Sequence, residues 1–157
     1  MPFYSRKSTR LTGYDYSTDN YYFVTICSHD KACIFGNTEK LSVLGTIAHE
    51  DLGNIQNHFS DVVIDQYIVM PNHIHAIVII GCNSEEDSKT KLDNVIGLFK
   101  SGVSRKIHKI QPGMKVWQRS FHDHIIRNQQ EYEKIWNYVK FNWQKWETDC
   151  FYQKHTD

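Results

Sequence analysis

Gln66-Tyr-Ile-Val-Met-Pro-Asn-His-Ile-His-Ala-Ile-Val-Ile-Ile80 is the most apolar stretch of the chain. After Asn72 its residues are mostly β-branched, which suits a pleated and buried surface. His73 to Ile80 therefore reads as a strand in the centre of a sheet. Side chains at i and i+2 of a strand share a face. His73 and His75 stand side by side on one face, and Ile74 points into the opposite layer. Two imidazoles about 6–7 Å apart on a rigid strand can hold one divalent metal, given a third ligand from elsewhere. Unpaired polar rings on a core strand are costly. The competing reading is two core histidines bonded to backbone or to carboxylates, and the pair alone leaves both open.

Val62 to Met70 reads as a second strand, and Pro71-Asn72 is turn chemistry. The two strands form a tight antiparallel hairpin that places both histidines near its rim, within reach of a ligand. Upstream, Tyr21-Tyr-Phe-Val-Thr-Ile-Cys27 is a strand by its aromatic and β-branched content. A loop with Phe35-Gly-Asn37 follows, with a minor strand over Lys40 to Val43. Leu44 to Phe59 has helical spacing of its apolar residues, weakened by Gly45 and Gly53. Downstream, Cys82 to Lys91 is an acidic surface loop, Leu92 to Ile110 a second helix and Phe121 to Arg127 another strand. Gln129 to Trp146 is a third helix. The result is an α+β fold: a ferredoxin-like βαββαβ antiparallel sheet with an added C-terminal helix. Helices cover one face, and the other is left for a site.

The chain has 157 residues, which suits one domain over 1–157, with 1–20 as a basic N-terminal arm. It carries 18 basic and 18 acidic residues, so bulk charge does not point to nucleic acid. Distribution matters more. Ser5 to Arg10 holds Arg6, Lys7 and Arg10 with no acid. Asn94 to His122 also holds no acid, while Lys100, Arg105, Lys106, Lys109, Lys115 and Arg119 are all basic. These are either solvated surface or contacts to phosphates. Trp117, Phe121 and Phe141 are candidates to stack on splayed bases, Phe141 above all because it points away from the helical core stripe. The chain shows neither a signal peptide nor an apolar run of membrane-spanning length. Cys27, Cys33, Cys82 and Cys150 have no metal-type spacing and read as reduced thiols of a cytoplasmic protein.

On the last helix, Tyr132, Ile135, Trp136, Val139, Trp143 and Trp146 form one stripe, which is core. Tyr138 and Asn142 are four residues apart and share a face at the edge of that stripe. Such a position can look into a cleft between helix and sheet. His122-Asp123-His124 is a second pair with the same spacing, but its charged centre argues against a buried site, and His122 reads as exposed.

Six stretches taken in order resemble one known family. They are Tyr22-Phe-Val-Thr-Ile26, Met70-Pro-Asn-His-Ile-His75, Phe99-Lys-Ser101, Val116-Trp-Gln-Arg119, His124-Ile-Ile-Arg127 and Tyr138-Val-Lys-Phe-Asn142. Together they are similar to the REP-associated tyrosine transposases, of the HUH single-strand transposase type. The resemblance runs from about Tyr22 to Trp146. It implies that His73 and His75 are metal ligands, that Asn142 completes the site and that Tyr138 is the nucleophile. It also implies a divalent metal, Mg²⁺ or Mn²⁺, a 5′-phosphotyrosine intermediate and single-stranded DNA with hairpin or palindromic elements as partner. Relatives act as monomers or as homodimers. One departure stands out. The family has proline after the asparagine, and Trp143 here would let the helix continue as a core residue. Two other readings compete: a nucleic-acid-binding module of the same fold without catalysis, and a metal-dependent hydrolase of small phosphates.

Overall fold

The structure, a computed structural model, describes residues 20–81 and 90–148. The basic arm with Arg6, Lys7 and Arg10 lies outside the described residues, as do Cys82 and Cys150. The strands are β1 (Asn20–Cys27), β2 (Val62–Val69), β3 (His73–Ile80) and β4 (His122–Ile126), in the order β2-β3-β1-β4. Every pairing is antiparallel. The helices are α1 (Val43–Asn54), α2 (Leu92–His108) and α3 (Gln129–Lys140). This is the ferredoxin-like βαββαβ order with α3 added.

Strand β3 is buried along its whole length because both of its faces are covered. Ile74, Ala76, Val78 and Ile80 join Tyr22, Val24 and Ile26 of β1 beneath α1 and α2. On the other face, Ile77 and Ile79 join Phe23, Ile126 and, from α3, Ile135 and Val139. Alternation along the strand places His73 and His75 on this second face. The expectation of one open face is thus corrected: the added helix covers the face that carries the histidines.

Three local departures from the sequence reading have physical causes. The segment after Phe35 makes one isolated bridge, Gly36 to Leu41, in place of a minor strand. Gly45 permits packing where it was expected to weaken the helix. A Cβ there would stand 2.1 Å from the Phe35 carbonyl oxygen, so only glycine lets α1 begin this close to that backbone. The first helix ends at Asn54 and tightens into a short 3-10 turn, Ile55–His58.

Strand β2 carries a bulge, with Ile64 opposite Val78 and Gln66 opposite Ile77. Asp65 is the extra residue, and past it the facing of the strand reverses. Its carboxylate accepts a hydrogen bond from the Tyr132 hydroxyl. Helix α3 begins just before this tyrosine with Asn128, whose side chain accepts from the Glu131 amide at 2.8 Å. Glu131 in turn bonds His124 of β4 and the Arg127 amide. The helix is therefore fixed to both outer strands of the sheet by side-chain bonds.

Candidate functional site

His73 is 0% exposed and His75 1% exposed. The rim position expected from sequence is not what the fold provides, because both rings lie under aromatic side chains. The Trp146 ring is 6.0 Å from His73. Phe23 stacks on His75 at 5.2 Å, and the Tyr138 ring lies 5.4 Å from His75 on the α3 side.

Each imidazole is held through its Nδ1. His73 Nδ1 meets Asn72 Oδ1 at 2.8 Å, and His75 Nδ1 meets Thr25 Oγ1 at 2.9 Å. Asn72 is itself oriented by donating from Nδ2 to the Lys31 carbonyl at 3.1 Å. An amide oxygen only accepts, so His73 Nδ1 carries the proton and its Nε2 holds a lone pair. His75 Nε2 then donates to His73 Nε2 at 3.1 Å, with ring centroids 4.5 Å apart. Bonding one imidazole nitrogen to a polar neighbour is how proteins orient the other toward a metal.

Burial lowers the His73 pKa to about 3, with the nearby Lys31 charge pushing the same way and Asn142 opposing. Burial and the neighbouring His73 hold His75 well below its ordinary value. Both rings are neutral in the folded protein, and each takes up a proton near about pH 6.5 once unfolded. Below that pH the unfolded state binds more protons, so stability falls as pH drops. Metal-free protein is expected to lose up to about 1.4 kcal/mol per pH unit for each histidine as the pH falls below about 6.5. Thermal melts in chelator-treated buffer would read this loss; a melting temperature that stays flat on acidification would contradict it.

Asn142 supplies the third observation. It is 0% exposed and close enough to His73 to favour that ring's charged form, yet neither Oδ1 nor Nδ2 makes a hydrogen bond of ordinary geometry. A buried amide left unmade costs about 1–3 kcal/mol. No group of three or more His, Cys, Asp or Glu suited to a metal occurs among the described residues, and the Asn142 carboxamide is the candidate third donor that the family resemblance implies. Two nitrogens about 2.1 Å from one ion lie about 3.0 Å apart at right angles and about 3.4 Å apart in a tetrahedron. The observed 3.1 Å falls between these values. His73 and His75, with the Asn142 oxygen as a third donor, are the residues that could hold a divalent metal. Thr25→Val should weaken Mn²⁺ binding about 10–100-fold, because the hydroxyl that orients His75 is lost; calorimetric titration measures it, and unchanged affinity would show that Thr25 does not set the ring.

The path of the chain to Asn142 differs from the expected continuous helix. Helix α3 stops at Lys140, Phe141 caps it with φ −105° and ψ 13°, and a 3-10 segment, Asn142–Thr148, follows. Trp143 is not a core residue: it is 49% exposed and lines a shallow pocket with Tyr67, Met70 and Pro71. The tighter winding keeps Asn142 and Trp146 on the buried side and turns Trp143 outward. Tyr138 is half-buried, edge-on to Phe23 with centroids 6.1 Å apart.

The basic residues do not gather around this site. Lys100 donates to the Gln118 and Ser120 carbonyls at 2.9 and 2.8 Å, and the Trp117 indole donates back to the Lys100 carbonyl at 3.0 Å. Two of the sequence stretches that carry the resemblance are thus locked to each other. Arg105 and Lys106 lie near the end of α2, with the sheet between them and the histidines, and Lys106 pairs with Asp51. Arg119 is exposed in the loop before β4. Phe141 is 41% exposed at the end of α3, whereas Phe121 is buried in the core and Trp117 packs on Phe35 and Phe99. His122 is half-buried, not exposed, with its pKa lowered by burial and by Lys31. The sequence reading missed Thr25, Asn72 and Lys31 around the pair. Two of these had a signal, since Thr25 and Asn72 stand inside the stretches that carry the resemblance.

A solved structure of a REP-associated tyrosine transposase bound to a REP hairpin matches this fold with a TM-score of 0.58. The match covers 92% of this chain and 74% of that one at 16% identity. A transposase candidate from Deinococcus radiodurans matches with a TM-score of 0.54 at 13% identity, over 85% of this chain and 96% of the other. The fold is therefore that of the REP-associated tyrosine transposases. By sequence, the chain belongs to the same family as an uncharacterized protein of Haemophilus influenzae, 32% identical over 94% of this chain and 93% of that protein. No family profile matches the chain.

Proposed function

We propose that the protein is a metal-dependent endonuclease and transposase of single-stranded DNA that works through Tyr138. The Tyr138 oxygen attacks a phosphodiester, and the bond from phosphorus to the 3′ oxygen breaks. The strand leaves with a 3′-hydroxyl, which gains the proton that the phenol gives up. The 5′ phosphate stays on the tyrosine, and attack by a 3′-hydroxyl reverses the step and joins strands without a nucleotide cofactor. The observation that carries this reading is one arrangement: a half-buried phenol beside two neutral imidazoles whose Nε2 atoms meet at 3.1 Å, with a buried, unbonded carboxamide next to them.

When bound by His73, His75 and Asn142, a divalent ion, Mg²⁺ or Mn²⁺, would supply charge that polarises the phosphate. The three side chains are neutral, so they leave that charge undiminished toward the substrate. Imidazole moves the preference toward Mn²⁺. A phenol has a pKa near about 10, so positioning matters for Tyr138, and the bonds from α3 to Asp65 and His124 provide it. Since the pair is buried, a phosphate reaches it only when the Tyr138 ring or the 3-10 segment moves aside.

The substrate is single-stranded DNA with hairpin or palindromic elements, as the hairpin bound to the neighbouring structure supports. Arg6, Lys7, Arg10, Arg105, Lys106 and Arg119 offer charge to its backbone, Phe141 a face for a base, and Lys100 braces the loop that carries Arg119. The protein acts in the cytoplasm as a monomer or homodimer. A denaturing gel with labelled hairpin DNA and Mn²⁺ tests the reading: a covalent adduct supports it. Tight binding without an adduct under any metal would favour a binding module of the same fold.

A further inference from the structure

The turn after β1 holds its own chemistry. Asp30 and Lys31 both lie in the left-handed region, with φ of 54° and 53°. Such residues cost about 1–2 kcal/mol each and persist only where their surroundings over-determine them. Here the turn is tied down on two sides. The Ser28 amide donates to the Asn72 carbonyl at 3.0 Å, and Asn72 Nδ2 returns to the Lys31 carbonyl at 3.1 Å. The His29 amide donates to the Val116 carbonyl at 2.9 Å, and Ser28 bridges Trp117. One asparagine thus holds both Lys31, through its amide, and His73, through its oxygen.

Between this turn and the loop before β4 opens a cleft of about 610 Å³, lined by His29, Asp30, Lys31, Trp117, Gln118 and Arg119. Its one carboxylate, Asp30, lies 3.3 Å from His29 Nε2. Lys31 and Arg119 both line it and are exposed cations. The Lys31 carbonyl is held by Asn72, whose oxygen holds His73 on the α3 side of the sheet, so the turn is tied directly to the site.

We infer that this cleft is a subsite for one backbone phosphate of single-stranded DNA, adjacent to the phosphate that is cleaved, held by Lys31 and Arg119. The chemistry is that of a phosphate contact, which positions the strand without reading its sequence. The bond from Asn72 to the Lys31 carbonyl ties the backbone of the turn to the residue that holds His73, so the base of the Lys31 side chain is fixed relative to the histidine pair. The inference rests on the single-stranded DNA reading above, and adds where the strand lies as it passes the site.

The test uses binding, so that it does not depend on turnover. Affinity of the Tyr138→Phe protein for labelled hairpin-flanked single-stranded DNA is measured by fluorescence anisotropy. It is repeated with Lys31→Gln, with Lys31→Arg, and with DNA carrying one uncharged methylphosphonate at each linkage in turn. Lys31→Gln should weaken binding about tenfold and lower the salt slope by about 1, and Lys31→Arg should restore most of the affinity. At one linkage the methylphosphonate should cost the same factor, and it should cost nothing further in Lys31→Gln. Losses that multiply at every linkage, or no loss on Lys31→Gln, would overturn the subsite. Failure of the catalytic reading is distinct: wild-type protein would form no adduct while the non-multiplying pattern remained.

Discussion

Tyr138→Phe is expected to abolish the covalent protein–DNA adduct, a loss of at least about 10³-fold, or about 4 kcal/mol of barrier, while the melting temperature moves by only a few degrees. The ring of Tyr138 packs edge-on to Phe23 and lies tilted against His75, and phenylalanine keeps both contacts. Only the hydroxyl is lost, and in the proposed reaction no other group can take its place. Tyr132 is the nearest chemical substitute on α3, but its hydroxyl is bound to Asp65, and burial together with that carboxylate pushes its pKa up to about 12. It holds the helix to the bulge of β2 and is a poor source of phenolate. A denaturing gel reads the result directly. A Tyr138→Phe protein that still forms the adduct would remove this residue from the mechanism.

Asn142→Leu is expected to move activity and stability in opposite directions. Its carboxamide is fully buried and makes no hydrogen bond. Leucine has a similar shape and no polar group to leave unpaired, so metal-free protein should gain about 1–3 kcal/mol. Cleavage should fall about 10²-fold or more, because the proposed metal site loses a ligand. A purely structural asparagine would give the reverse pattern on stability. Chemical denaturation with chelator present, paired with adduct formation in Mn²⁺, separates the two. Loss of stability in the metal-free protein would show that the amide belongs to the packing rather than to a ligand set.

The sheet was legible because its central strand is unambiguous. His73 to Ile80 was read to the residue, since a run of β-branched residues after Asn72 leaves little choice. The second helix and the succession of strands and helices along the chain follow from periodicity and residue type, with the second helix ending two residues earlier than expected. The accessibility of the site was not legible. Sequence places His73 and His75 on one face but says nothing of what lies on it, and Trp146 reaches that face only after a change of helix type at Phe141. The same change explains Trp143, which a continuous helix would bury and the 3-10 segment exposes.

The roles of the charged residues were legible only in part. Lys100 looked like a phosphate contact because nothing in the sequence tells that its ammonium meets two carbonyls of a distant loop. Nothing in the sequence singles out Lys31, because its link to the histidine pair runs through Asn72, a neighbour only in the folded chain. Thr25 is similar: its partner His75 lies across a strand pairing whose register sequence does not state.

The most direct measurement is mass spectrometry of the covalent adduct. Wild-type protein would be incubated with Mn²⁺ and a hairpin-forming single strand, then digested with nuclease and protease. The account expects a nucleotide attached through its 5′ phosphate to the peptide containing Tyr138, and no adduct when chelator is present. A nucleotide on any other residue, or an adduct that forms equally well without metal, would contradict it.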